Sequence, residues 1–164
     1  MISKKMADSI NGQINKEIYS AYLYLSMSAW STSKNLKGFA SWFAAQAKEE
    51  LGHALKFYKY LEEQGAAIRL QAIEAPTATF ASPTAAFEAT LKHEQFITQS
   101  IHKLMDQAVA EKDHATQIML QWFVTEQVEE EANATEIVEK LRLVGEHPHG
   151  LFMVDRELSA RQPS

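Results

Sequence analysis

The sequence predicts an all-α fold: a four-helix bundle with a long crossover between its second and third helices and a short fifth helix at the C-terminal end. Apolar residues recur at steps of three and four in four long segments. Strong helix formers are plentiful, and only 6 Gly and 4 Pro occur, mostly near the breaks between these segments. A chain of 164 residues is the usual size of one domain, so residues 1–164 are predicted to form one.

The first two helices are predicted over residues 5–33 and 36–64, with a break near Ser33 to Asn35. Such a short connection makes the joined helices antiparallel neighbours. One stripe of the second segment comprises Phe39, Phe43, Gln46, Glu50, His53, Phe57 and Tyr60. Because this stripe is apolar at both ends and polar in the middle, it predicts a buried face that carries a polar centre.

The third and fourth helices are predicted over 83–111 and 113–144, joined near Lys112 and Asp113. The fourth carries the clearest stripe: Leu120, Phe123, Gln127, Glu130, Ala134, Ile137, Leu141 and Val144. The connection 65–82 can extend about 60 Å, whereas a helix of about 28 residues spans about 42 Å. It can therefore cross the bundle and make the second and third helices parallel. The apolar residues of 148–160 predict the short fifth helix.

Charge and composition exclude several classes of function. The net charge of −5 does not suit a nucleic-acid-binding surface, and the absence of cysteine excludes disulfides and thiolate metal sites. We find neither a secretory signal nor an apolar run long enough for a membrane span. The sequence therefore predicts a cytoplasmic protein that binds neither nucleic acid nor membranes.

A weak internal repeat relates the two hairpins. Shifting the sequence by 77 positions places Glu17 on Glu94, Glu49 on Glu126, Glu50 on Gln127 and His53 on Glu130. Acidic or metal-ligating residues thus recur at one offset. This self-similarity suggests two hairpins that face each other across a pseudo-twofold axis.

The acids of the four stripes are predicted to lie at one depth. Glu17 and Glu50 stand about 17 and 16 residues from the first hairpin turn, and Glu94 and Glu130 about 18 from the second. Carboxylates cannot all stay ionised in a low-dielectric interior unless cations compensate them. His53 shares a helix face with Glu50, and this oxygen-rich set suits iron or manganese. A Glu run such as 129–131 is more often a solvated face, but the matched depth of four stripes favours a metal site.

The chain resembles bacterial non-haem ferritins from Met1 to about Ala160. The resemblance is carried by Asn15-Lys16-Glu17-Ile18-Tyr19, Lys48-Glu49-Glu50-Leu51-Gly52-His53 and Glu126-Gln127-Val128-Glu129-Glu130. It implies a first iron held by Glu17, Glu50 and His53, and a second held by Glu50, Glu94 and Glu130. It also implies Gln127 as an outer hydrogen-bonding partner, and a third iron position at Glu49, Glu126, Glu129 and Glu130. Tyr24 resembles a tyrosine near the ferritin di-iron site, where electron donation and simple core packing are equally open, and Trp122 fits packing better.

The resemblance further implies a ferroxidase that oxidises Fe(II) with O2 or peroxide and deposits ferric mineral inside a hollow homo-oligomeric shell of 24 subunits. Bacterioferritin is the nearest alternative, but Leu51 stands where its haem-ligating Met would be, so no haem is expected. Rubrerythrins would add paired cysteines, and DNA-protecting mini-ferritins would add a basic tail. The alternative from another class is a non-catalytic helical scaffold whose central acids lie on the surface.

Overall fold

The computed structural model describes residues 1–161 and confirms the all-α fold. Its five helices have these bounds: α1 Lys4–Ser33, α2 Lys37–Glu63, α3 Pro83–Ala110, α4 His114–Val144 and α5 Pro148–Leu158. The observed ends lie within two residues of the predicted ones, because each break carries a residue that stops a helix. Asn35 and Lys112 adopt positive φ at the two hairpin turns, and Gly65 and Gly145 do so after α2 and α4. None of the helices described within 1–161 is long and apolar enough to span a bilayer.

Three of the four long helices begin at a side-chain cap that is local in sequence. Ser3, Ser82 and Asp113 each accept a hydrogen bond from the backbone N–H three residues further on. Helix α2 has no such cap at Leu36. Instead, Asp155 of α5 accepts the Gly38 and Phe39 N–H groups at 2.9 and 3.0 Å. The fifth helix therefore completes the N-terminus of the second.

The bundle holds two apolar cores at its two ends. One joins the N-terminal part of α1 with the C-terminal parts of α2 and α3 and the start of α4, around Ile10, Phe57, Ile101 and Leu120. The other joins the opposite ends of these helices with α5. Helices α2 and α3 therefore run parallel to each other and antiparallel to α1 and α4, as the crossover predicted.

The crossover, residues 64–82, lies along α1 without regular secondary structure. Asn11 donates to the Ala67 carbonyl at 2.9 Å and accepts the Arg69 N–H at 2.6 Å. Further along, Asn15 donates to the Ala72 carbonyl at 3.0 Å and Ser26 to that of Thr77 at 2.7 Å. These bonds satisfy backbone groups of an extended segment that has no neighbouring strand.

Candidate metal centre

A layer of polar side chains separates the two apolar cores. Its members, with their exposed fractions, are Glu17 (1%), Glu50 (1%), His53 (5%), Glu94 (1%) and Glu130 (5%). Each of the four long helices contributes one acid, at the level expected from counting residues away from the turns. Acids this deeply buried are rare unless they are paired.

The ligand atoms of these residues fall into two groups. Glu17, Glu50 and His53 form one group, and Glu50, Glu94 and Glu130 form the other; within each, the atoms lie within 4.8 Å of one another. Glu50 belongs to both groups. The arrangement can hold two metal ions that share one carboxylate.

Three glutamine amides hold the carboxylates in place. Gln13 donates to Glu17 at 2.8 Å. Gln46 donates to Glu50 at 2.9 Å and to Glu130 at 2.8 Å, and so links α2 to α4. Gln127, expected as an outer partner, donates to the Glu94 carboxylate at 3.1 Å. These bonds orient carboxylate oxygens that could act as metal ligands.

Tyr24 also contacts this layer. It is fully buried, its hydroxyl donates a hydrogen bond to Glu94, and its ring stacks on Phe43. Trp122 is 38% exposed, and its ring packs edge-on against His53 at 5.4 Å between centroids. The Lys56 ammonium lies 3.1 Å from the centroid of the Trp122 ring. Tyr24 is thus placed beside a candidate ligand, whereas Trp122 packs at the edge of the site.

Burial raises the pKa of these glutamates. Desolvation, with the Glu50 charge as the next cause, raises the pKa of Glu17 to about 8. Desolvation likewise raises the pKa of Glu94 and of Glu130 to about 8, with the charges of Glu50 and Glu94, respectively, adding to it. The pKa of Glu50 is raised well above its usual range, first by burial and then by Glu130.

No lysine or arginine within residues 1–161 forms an ion pair with the four buried acids. In the described part of the chain, His53, 3.3 Å from Glu50, is the one basic residue within ion-pairing distance of the four buried acids. Among the residues that the structure describes, the buried Oε2 atom of Glu17 finds no hydrogen-bond partner. A donor set of four carboxylates and one imidazole fits a hard or intermediate divalent ion such as Fe(II) or Mn(II).

A more open pocket of about 640 Å³ adjoins this layer, and we name it the outer pocket. It is lined by Glu49, His53, Glu126, Glu129, Glu130, Lys56, Trp122 and Arg161, among others. Atoms of His53, Glu126 and Glu130 form a third group within 4.8 Å. Of the residues implied for a third iron, Glu129 is exposed and lies outside that group, and Glu49 forms an ion pair with Arg161 instead.

The sequence pattern alone does not identify Gln13, Gln46 or Arg161 as site residues. Gln46 stood on the polar middle of the α2 stripe, and Gln13 stands one helical turn before Glu17, so their spacing offered a signal. Arg161 offered none, because its contact depends on how α5 docks.

Comparisons with known proteins agree with this architecture. Residues 7–144 match the family model described as a Ferritin-like domain. The chain is 45% identical to a bacterial non-heme ferritin of Campylobacter jejuni over 95% of this chain and 93% of that one. It is 39% identical to a bacterial non-heme ferritin of Escherichia coli O6:H1 over 97% and 96% of the two chains.

Solved structures give the same result. An open pore ferritin from the hyperthermophilic archaeon Archaeoglobus fulgidus is 52% identical and superposes with a TM-score of 0.98, covering 99% of this chain and 100% of that one. Both the family match and the structural superposition cover the four helices that carry the buried acids.

Proposed function

Since this chain belongs to the ferritin-like family, we propose that it stores iron, oxidising Fe(II) with O2 or peroxide and depositing the ferric product inside a hollow homo-oligomeric shell. The relatives are named as bacterial non-heme ferritins and an open pore ferritin, and their similarity spans nearly the whole chain.

The observation that carries the proposal is the position of Glu50. Its carboxylate belongs to both inner groups, so two Fe(II) ions bound there share one ligand and lie close together. In this assignment, Glu17, Glu50 and His53 bind one iron, and Glu50, Glu94 and Glu130 bind the other. Two adjacent one-electron donors are what O2 reduction by paired irons requires.

The protein's contribution is electrostatic and geometric. In the metal-free chain, the raised pKa of the buried acids favours their protonated forms at neutral pH. Incoming Fe(II) replaces those protons, so binding releases protons and relieves the burial cost together. Gln13, Gln46 and Gln127 keep the oxygens oriented while the charge changes. Tyr24, hydrogen-bonded to Glu94, stands where it can supply an electron.

The outer pocket is proposed as the route by which oxidised iron leaves the pair. His53 and Glu130 line both the inner layer and this pocket. Glu126, with Glu49 and Glu129 nearby, supplies further oxygen ligands for a third iron. Such a graded path lets each ion exchange carboxylates stepwise instead of losing them all at once.

Assembly is proposed as a shell of 24 copies located in the cytoplasm. Several large apolar side chains are exposed on the single chain, including Tyr22 and Leu25 on α1 and Leu70 in the crossover. Exposed apolar residues of this kind are typical of surfaces buried between subunits. Sedimentation of the purified protein tests the copy number directly.

The central test replaces both Glu50 and His53 by alanine in the full-length assembled protein. We expect aerobic Fe(II) oxidation, followed as ferric absorbance, to slow by roughly two orders of magnitude, because the shared ligand and the imidazole are both lost. Helical content by circular dichroism should persist, since removal of a buried acid relieves repulsion.

A matched control replaces an exposed glutamate and an exposed histidine, Glu62 and His102, by alanine. This variant should oxidise Fe(II) at the unmodified rate. If the Glu50 and His53 variant also keeps that rate, the protein is a helical scaffold and not a ferroxidase. A Soret band in the purified protein would instead identify a haem-binding bacterioferritin.

A further inference from the structure

Arg161 occupies a defined place at the mouth of the outer pocket. Its guanidinium stacks over the Trp42 ring at 4.4 Å from the centroid, and it forms an ion pair with Glu49. The arginine and glutamate side chains are only 19% and 11% exposed. A half-buried arginine with both a ring and a carboxylate is held far more firmly than a surface lysine.

The placement of Arg161 follows from the docking of α5. Val154 and Leu158 bury their side chains in the core that includes Trp42. Asp155 binds the start of α2, and Glu157 pairs with Lys140 of α4. Arg161 follows directly, with its backbone N–H bonded to the Leu158 carbonyl at 3.3 Å. The docking of α5 therefore fixes the position from which the Arg161 guanidinium contacts Glu49.

Glu49 is only partly satisfied by this ion pair. One carboxylate oxygen contacts Arg161, while the other, Oε1, is buried and has no hydrogen-bond partner among residues 1–161. Glu49 shares its pocket with Glu126, Glu129 and Glu130. This carboxylate therefore lies between two possible cations, Arg161 and a metal ion in the outer pocket.

We propose that Arg161 is a tethered counter-cation that competes with iron for Glu49, and so lowers the affinity of the outer pocket for the third ion. This inference rests on the proposed function, because it assigns Glu49 to the iron path. While Arg161 holds Glu49, the outer pocket has one fewer free carboxylate and one more positive charge. Both effects weaken cation binding there, so the two inner positions fill first.

Competition at this one carboxylate also favours onward movement. An ion in the outer pocket that loses Glu49 to Arg161 is held more weakly and can pass on. The guanidinium supplies the replacement charge from within the same chain. Glu49 is thus paired with a cation both before an ion arrives and after it leaves.

The test is calorimetric titration of the metal-free assembled protein with Zn(II), a redox-inert substitute for Fe(II). For the unmodified protein, we expect two tight ions per subunit and a weaker third. The Arg161→Gln variant should bind the third ion about five- to tenfold more tightly and leave the first two unchanged. Arg161→Lys, which keeps the charge but loses the planar stack on Trp42, should give a third-site affinity between those of Arg161→Gln and the unmodified protein.

A double-variant cycle separates competition from a merely structural effect. In a Glu49→Gln background, Arg161→Gln should strengthen the third site clearly less, because the contested carboxylate is gone and only the repulsion by the Arg161 charge is relieved. A third-site affinity that is unchanged or weaker in Arg161→Gln would overturn the inference, as would a gain of the same size in the Glu49→Gln background. If the unmodified protein shows no two tight binding sites for Zn(II), the proposed function is refuted, and this inference with it.

Discussion

Replacing Glu17 by glutamine should stabilise the metal-free protein, and this stabilisation should grow as the pH rises. Glu17 is 1% exposed, and burial raises its pKa from 4.5 to about 8. The unfolded chain, with the ordinary pKa, loses its proton near pH 4.5, while the folded chain keeps it. Between these values the folded state binds more protons, so its stability falls as the pH rises. Glutamine has no proton to lose, and removes that dependence.

The size of the effect follows from the interval between the two pKa values. Each pH unit between 4.5 and 8 costs the folded state about 1.4 kcal/mol at this residue. Glutamine should therefore add about 1 kcal/mol at pH 5 and roughly 3 kcal/mol at pH 7. Its amide can replace the carboxylate without a new burial cost, because its oxygen can still accept from Gln13 and its nitrogen lies near Glu50.

The assay is denaturant unfolding of the metal-free protein at pH 5, 6 and 7, at a fixed protein concentration because subunit association adds to stability. Glu74→Gln is the matched control, since Glu74 is exposed on the crossover and should show almost no change at any of these pH values. Metal binding should respond in the opposite direction, with one of the inner ions lost from Glu17→Gln.

A stabilisation by Glu17→Gln that is the same at pH 5 and pH 7 would refute the reasoning, because it would mean that Glu17 titrates alike in both states. A variant less stable than the parent at pH 7 would do the same. Either result would mean that metal binding cannot be explained by the cost of burying uncompensated carboxylates.

Two further predictions concern Tyr24 and the docking of α5. Tyr24→Phe should leave the fold intact but raise the pKa of Glu94 further, because the tyrosine hydrogen bond lowers that pKa. Stopped-flow measurement should then show Fe(II) oxidation slowed several-fold at pH 6. An unchanged rate would mean that Tyr24 serves only as a core aromatic residue. Gly38→Ala should destabilise the protein by about 1–3 kcal/mol, because a Cβ at that position would meet the Asp155 carbonyl at 1.6 Å. Gly12→Ala on α1 is the control, since nothing lies within 4 Å of the added Cβ atom. Its free energy of unfolding, measured by thermal unfolding, should rise by about 0.5–1 kcal/mol. Equal effects at both positions would contradict the described packing.

Much of the site could be predicted because helices convert sequence spacing into direction and distance. The stripe that contains Phe43, Glu50 and Phe57 had to face the core, and counting from the turn fixed the depth of Glu50. The same reasoning placed Glu17, Glu94 and Glu130, and the structure brings all four together. Their role as iron ligands stays a prediction that the variants above test.

The outer pocket could not be predicted in this way. Glu49, Glu126 and Glu129 share a depth, but depth does not determine which neighbour each side chain meets. Glu129 is turned to solvent, and Glu49 meets an arginine 112 residues away. The ion pair exists only because α5 packs back against α2.

The sequence alone determined the four long helices, their order and the level of the buried acids, because helical periodicity and short turns act between residues a few positions apart. Only the tertiary structure decided that Gln46 bridges Glu50 and Glu130, that Asp155 caps α2 and that Arg161 reaches Glu49. Each of these contacts joins separate helices or the chain end to the bundle, so each depends on how whole helices pack, which no local spacing specifies.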